Sequence, residues 1–272
     1  MSAATRTVVR CPRCGSTGAE SVEEIGIEFA RMKCDRCACS EICDEHAIRL
    51  EWNEAVPAGY VVGPCLLPSR RFGETWAALG ATGGSRAALD RLRAAYDDPS
   101  RAYHTSLHVG SCLALLDDPR VASLAKDLPE VEAALWFHDA VYDTRASDNE
   151  ARSAALAEEV LLGAGAPRER VERVAAHVRA TKDHVALTGD AALVIDVDLS
   201  ILGADAETYA RFEEEIRREY GWVEPAAFRA GRAAVLRRFL DRPFIYATPV
   251  LRDRFEARAR ENLASAIARL SV

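Results

Sequence analysis

His104 and His108 stand four residues apart in Tyr103-His-Thr-Ser-Leu-His108, so on a helix both project from one face about one turn apart. Two imidazoles can then address one site. Further on, Leu135-Trp-Phe-His138-Asp139 ends a strongly apolar run, where an imidazole and a carboxylate are costly to bury without a metal or partner to satisfy them. The apolar run Leu193-Val-Ile-Asp196-Val-Asp198-Leu-Ser200 repeats the oddity with a pair of carboxylates, one or both of which are expected to face the same site. Taken singly, each of these side chains reads as a helix cap or a satisfied core residue. Taken as a set, they read as donors for a metal ion.

A second concentration of ligand types lies near the N-terminus. Cys11-Pro-Arg-Cys14 and Cys34-Asp-Arg-Cys37 supply paired thiolates that can converge on one tetrahedral zinc, the pattern of a zinc ribbon. Cys39, Cys43 and His46 follow closely, so the second pair could be drawn from them, or a second metal could sit there. In a segment too short to build a core of its own, a structural zinc supplies folding free energy. Thiolate ligation needs a reducing compartment and argues against a disulfide framework.

Different elements are expected to carry these two groups. The first part reads as short alternating strands (22–32, 47–52) between cysteine turns, and 57–69 is rich in proline and glycine and reads as a linker. From residue 70 the pattern turns helical, punctuated at Gly83-Gly84, Asp97-Asp98-Pro99, Asp117-Asp118-Pro119, 163–167, Gly203 and Glu224-Pro225. Roughly nine helices and no long strand are expected there. Tyr209, Phe212 and Ile216 mark one buried helical stripe. The predicted architecture is a zinc-ribbon-like β module over 1–56, a linker over 57–69 and an all-α domain over 70–272.

The 272-residue chain is 49% apolar, enough for a sizeable core, and its formal charge of −7 gives no electrostatic basis for general polyanion binding. Nucleic acid is therefore a poor default partner, while a protein partner for the ribbon stays open. The most apolar internal stretch, 191–204, is interrupted by Asp196 and Asp198, so no membrane segment is expected and the chain reads as cytoplasmic.

His, then His-Asp, then Asp on successive helices resembles the signature of the HD-superfamily metal-dependent phosphohydrolases, over most of 70–272. More closely, the chain is similar to a bacterial family of predicted HD phosphohydrolases. The marks are Arg101-Ala-Tyr-His104, Phe137-His-Asp-Ala-Val-Tyr-Asp143, Asn149-Glu150, Asp196-Val-Asp-Leu-Ser-Ile-Leu-Gly203 and Ile216-Arg-Arg-Glu-Tyr220. Tyr103-His104-Thr-Ser-Leu-His108 and Val197-Asp198-Leu199-Ser200 also resemble segments of cyclic-nucleotide phosphodiesterases. The resemblance implies an HD-type helical bundle with His108, His138, Asp139 and Asp198 on a divalent metal (Mn, Mg, Co, Fe, Ni or Zn), His104 as general acid and Asp196 as a supporting carboxylate. Thr105 replaces the phosphodiesterase asparagine, and Tyr142-Asp143 stand where a further histidine is usual, so cleavage of cyclic nucleotides is not implied.

The expected reaction is hydrolysis of a small phosphate ester, such as a nucleotide, with the metal acidifying a water and neutralising phosphoryl charge. Asp143, one turn past Asp139, is an alternative proton donor. Glu150 is expected to complement a helix N-terminus or support the site. His184 could hold a second metal or phosphate, and Lys182 and Arg101 could hold phosphate; Arg217 and Arg232 are weaker candidates for that role. His177 reads as a packing or surface residue. The competing readings are a di-iron HD-type oxygenase and a non-catalytic metal-binding interaction module.

Overall fold

The computed structural model describes residues 20–24, 30–34, 40–43, 69–185 and 188–271. The chain divides into two compact units, Met1–Glu74 and Thr75–Val272.

In the first unit, β1 (Glu20–Glu24), β2 (Ala30–Cys34) and β3 (Ser40–Cys43) form an antiparallel sheet in that order. Val22 is paired with Met32 and Arg31 with Ile42. The stretch expected as strand around 22–32 thus contributes to two paired strands. The expected zinc ligands Cys11, Cys14 and Cys37 lie outside the described residues, as do the side chain of Cys34, the segment 47–52 and the linker up to 68.

The second unit is helical, with no strand among its described residues. Its elements follow α1 (Ser69–Ala78) in the order α2 (Ser85–Tyr96), α3 (Ser106–Leu115), α4 (Pro119–Ala122), α5 (Leu128–Phe137), α6 (Asn149–Gly163), α7 (Arg168–Ala180) and α8 (Gly189–Asp198). A 3-10 turn (Leu199–Gly203) continues α8, and α9 (Ala206–Glu219), α10 (Pro225–Leu240) and α11 (Pro249–Leu270) complete it. The described residues therefore carry more helices than the punctuation implied, partly because Asp118 and Pro119 start a separate four-residue helix, α4.

α5 and α8 carry apolar residues around most of their circumference, the composition of helices buried on more than one side. Val131, Ala134, Leu135, Trp136 and Phe137 of α5 are buried, as are Leu193, Val194, Ile195 and Val197 of α8. The two helices pack on each other, and α3 packs on both. Three helices that touch pairwise can hold side chains at their junction with little freedom.

Local chemistry sets the ends of these helices. Thr105 accepts the Leu107 N–H at the start of α3, and Asp127 accepts the Glu130 N–H at the start of α5, where Pro129 occupies the first turn. α5 ends at His138, so the His-Asp pair emerges where a buried helix meets the loop. α9 buries Tyr209, Phe212 and Ile216 as the periodicity predicts, and the same stripe continues to a carboxylate, Glu219.

Candidate metal centre and active site

Three helix ends deliver the donors: His108 from the first turn of α3, His138 from the C-terminus of α5 and Asp198 from the last residue of α8. Both imidazoles are buried, at 5% and 1% exposure. One donor atom from each of His108, His138 and Asp198 lies within 4.8 Å of the others. The Nε2 atoms of the two histidines are 3.1 Å apart, and Asp198 Oδ1 lies 3.1 Å from His108 Nε2 and 3.5 Å from His138 Nε2. These separations suit ligands around one ion: metal–nitrogen bonds of about 2.0–2.1 Å in a tetrahedron set ligand atoms roughly 3.3 Å apart. Asp139 adjoins the group, its Oδ2 3.1 Å from His138 Nε2 and 3.7 Å from His108 Nε2.

The outward ring atoms of both histidines have oxygen neighbours. His138 Nδ1 lies 2.9 Å from the Leu135 carbonyl, which can only accept, so this nitrogen carries the proton and Nε2 keeps its lone pair for a cation. His108 Nδ1 lies 2.9 Å from the Tyr103 hydroxyl, a pairing that lets Nδ1–H donate and leaves Nε2 free in the same way. Burial alone would lower His138, but the carboxylates of Asp139 and Asp198 push it well above the ordinary imidazole value. Burial would raise Asp198, and hydrogen bonds from His108, His138 and His184 hold it well below the carboxylate range. A buried histidine and carboxylate cluster of this kind fits a divalent cation by donor type as well as by spacing.

His104 lies beside this group, in the bend before α3, and is oriented by Glu219. Its Nδ1 lies 2.7 Å from Glu219 Oε2, while Glu219 Oε1 accepts the main-chain N–H groups of Ala102, Tyr103 and His104 at 2.8, 2.8 and 2.9 Å. The Tyr142 hydroxyl donates to Oε2 at 2.9 Å, and the Tyr142 ring stacks on His104 at 4.2 Å. Burial would raise Glu219, but the hydrogen bond and charge of His104, with the main-chain donors, lower it to about 2. Burial would lower His104, yet the Asp139 charge and the Glu219 hydrogen bond raise it. Glu219 has no assigned role in the sequence reading. The signal for it was a carboxylate three residues past Ile216 on an apolar stripe.

His104, Asp139 and Asp198 line one cavity of about 530 Å³, together with Glu150, Lys182 and His184. His184 Nε2 lies 3.1 Å from Asp198 Oδ2, the oxygen turned away from the histidine pair. Its backbone has φ of 49°, the left-handed region, and among the described residues no other non-glycine residue does. Arg242 holds that conformation by donating to the carbonyls of His184 and Asp183 at 2.7 and 3.1 Å. Lys182 donates to the Ser147 carbonyl at 2.9 Å.

Other sequence candidates are engaged by partners of their own, and of these Glu150 and Arg232 also line the cavity. Arg101 donates to the carbonyls of His104, Asp139 and Ala140 at 3.0, 2.7 and 3.1 Å, so its guanidinium binds the His-Asp turn from behind. The Asp143 carboxylate accepts the Arg145 N–H, and the Asp143 main chain exchanges two hydrogen bonds with the Asn149 side chain. Asp148 occupies the cap position of α6, and Glu150 lies in the first turn. Asp196 is 1% exposed and accepts the Ala247 and Thr248 N–H groups and the Thr248 hydroxyl, which ties α8 to the start of α11. Arg232 is paired bidentately with Glu213, Arg217 donates to the carbonyls of Tyr220 and Val223, and half-buried His177 lies along α7. Among the described residues no helix is long and apolar enough to cross a membrane.

In comparisons with known proteins, no protein-family model, no curated protein and no solved structure matches this chain.

Proposed function

We propose that the helical unit is a metal-dependent phosphohydrolase acting on a small phosphate ester, with an HD-type centre built from His108, His138, Asp139 and Asp198. The observation that carries this reading is a cavity lined both by Asp198, a member of the metal-competent cluster, and by a carboxylate-oriented imidazole, His104. A structural metal needs no poised proton carrier and no cavity beside it.

When bound, the cation supplies positive charge to phosphoryl oxygens and acidity to a nucleophilic water. The chain's own groups do the rest. Glu219 fixes the His104 ring through Nδ1, which leaves Nε2 to carry a proton to the departing alcohol oxygen. The Glu219 hydrogen bond is among the interactions that raise the basicity of His104, which favours its protonated form. Tyr142, stacked on the ring, limits its rotation and excludes water from one face. Lys182, on the cavity wall, retains N–H donors beyond the one given to Ser147 and can meet a phosphoryl oxygen.

The test is elemental analysis of purified protein, then release of phosphate from a panel of monoesters with added Mn²⁺, Mg²⁺, Co²⁺ or Zn²⁺. Metal-dependent turnover that drops about 10²–10⁴-fold in His104→Gln is expected. Confirmed metal occupancy without turnover of any ester would sink the reading.

A further inference from the structure

Resting on the phosphohydrolase reading, we infer that the cavity beside the metal cluster is a subsite for a bulky, apolar-faced alcohol, so that the substrate class is phosphate monoesters of ring-sized apolar groups. α10 supplies the first observation. Arg232, Val235, Leu236 and Phe239 line the cavity, and their spacing of three, four and seven residues places them on one face of the helix. Arg232 is neutralised by its bidentate pairing with Glu213, which leaves the middle of that face apolar. Ile201 and Leu202 from the 3-10 turn and Ile216 from α9 extend the same surface.

Size is the second observation. At about 530 Å³ the cavity falls in the range of pockets that enclose organic ligands of tens of atoms. A phosphoryl group at the cluster cannot fill it. Polar lining groups come from the His104 bend, the His-Asp turn, the stretch 182–184 and the end of α8, with Arg232, Arg238 and Arg242 along α10 and just beyond it, whereas Val235, Leu236, Phe239, Ile201, Leu202 and Ile216 supply the apolar part of the wall. Polar atoms of a ligand lying against Val235, Leu236 and Phe239 would find no hydrogen-bond partner on that part of the wall, which is costly. A flat apolar body meets the same surface favourably.

The experiment measures binding first and turnover second, on the full chain with metal content confirmed. Methylphosphonate, benzylphosphonate and 1-naphthylmethylphosphonate are titrated calorimetrically, and phosphate release is followed from phenyl and 1-naphthyl phosphate. Affinity is expected to tighten by about tenfold from methyl to benzyl and again from benzyl to naphthylmethyl. Val235→Trp, which fills the subsite, is expected to collapse that gradient to within about threefold with metal content retained. Phe239→Ala should loosen naphthylmethyl binding more than methyl binding. Equal affinity for all three phosphonates, or a gradient unchanged by Val235→Trp, overturns the subsite. A gradient that responds to Val235→Trp while neither ester is hydrolysed upholds the apolar subsite and overturns the hydrolase reading on which the substrate assignment rests.

Discussion

Glu219 Oε2 lies 2.7 Å from His104 Nδ1, although the two residues are 115 positions apart, one at the end of α9 and the other in the bend before α3. The other carboxylate oxygen gathers the main-chain N–H groups of Ala102, Tyr103 and His104, so Glu219 shapes the bend that precedes α3 as well as the ring that emerges from it. An imidazole held on one side by a buried carboxylate keeps one tautomer and one orientation, and its free nitrogen is the reactive one.

Glu219→Gln keeps the shape but loses the charge. Turnover of a phosphate ester is expected to fall about 10–100-fold with metal content unchanged, and the basic-side limb of the pH–rate profile, set by deprotonation of His104, should move to lower pH. The shift follows because Glu219 is among the groups that raise His104. A profile that keeps its position would remove Glu219 from this role.

Asp196 and Asp198 differ by two residues and should behave oppositely on substitution. Asp198→Asn is expected to weaken metal binding by at least about a hundredfold, read by elemental analysis after dialysis, with a folded circular-dichroism spectrum. Asp196→Ala should retain metal and instead lose about 2–3 kcal/mol in denaturant unfolding, because the Ala247 and Thr248 donors at the start of α11 lose their acceptor. Metal loss in Asp196→Ala with stability intact would reverse the assignment.

Arg101 supports the site through main-chain carbonyls. Arg101→Met removes donors from three of them, those of His104, Asp139 and Ala140. The expected result is a metal affinity reduced about tenfold, with Arg101→Lys recovering part of it, since an ammonium offers fewer directed donors than the planar fork. Phosphonate affinity lost at unchanged metal affinity would place the guanidinium on the ligand instead.

Glu130 provides a pH signature remote from the metal. It is 1% exposed and accepts from Arg170 and Arg173, and although burial would raise it, those hydrogen bonds hold it below the ordinary 4.5. A folded-state value below the unfolded one adds stability above the unfolded value and loses it as pH falls through the folded value. Removing one partner of a buried ion pair, as in Glu130→Gln, should cost about 3 kcal/mol at pH 7, and the gap to the native protein should narrow as pH falls below about 4.5. Thermal unfolding of both proteins across that range measures it, and a gap independent of pH would contradict the assignment.

Periodicity and punctuation were sufficient to read the helical character of the second unit, the buried stripe of α9 and the abnormal burial of His138, Asp196 and Asp198, because these follow from local composition. The spacing of His104 and His108 and the ionisable groups set in apolar runs marked candidate donors, and the resemblance to HD-type proteins implied His108, His138, Asp139 and Asp198 as the metal set among them. What local pattern cannot encode is direction. Asp196 and Asp198 sit in one apolar helix, yet α11 takes the first carboxylate and the histidine pair takes the second. Arg101 looks like a phosphate ligand by type, and packing turns it onto three carbonyls. Glu219 and Arg242 acquire their relation to the site only when α9 and the chain beyond α10 fold back on segments far away in sequence. Residue type and spacing determined which side chains could not be left alone in the core. The packing of α3, α5, α8 and α9 decided which of them meet, because a contact across more than a hundred residues depends on how helices cross and not on the residues between them.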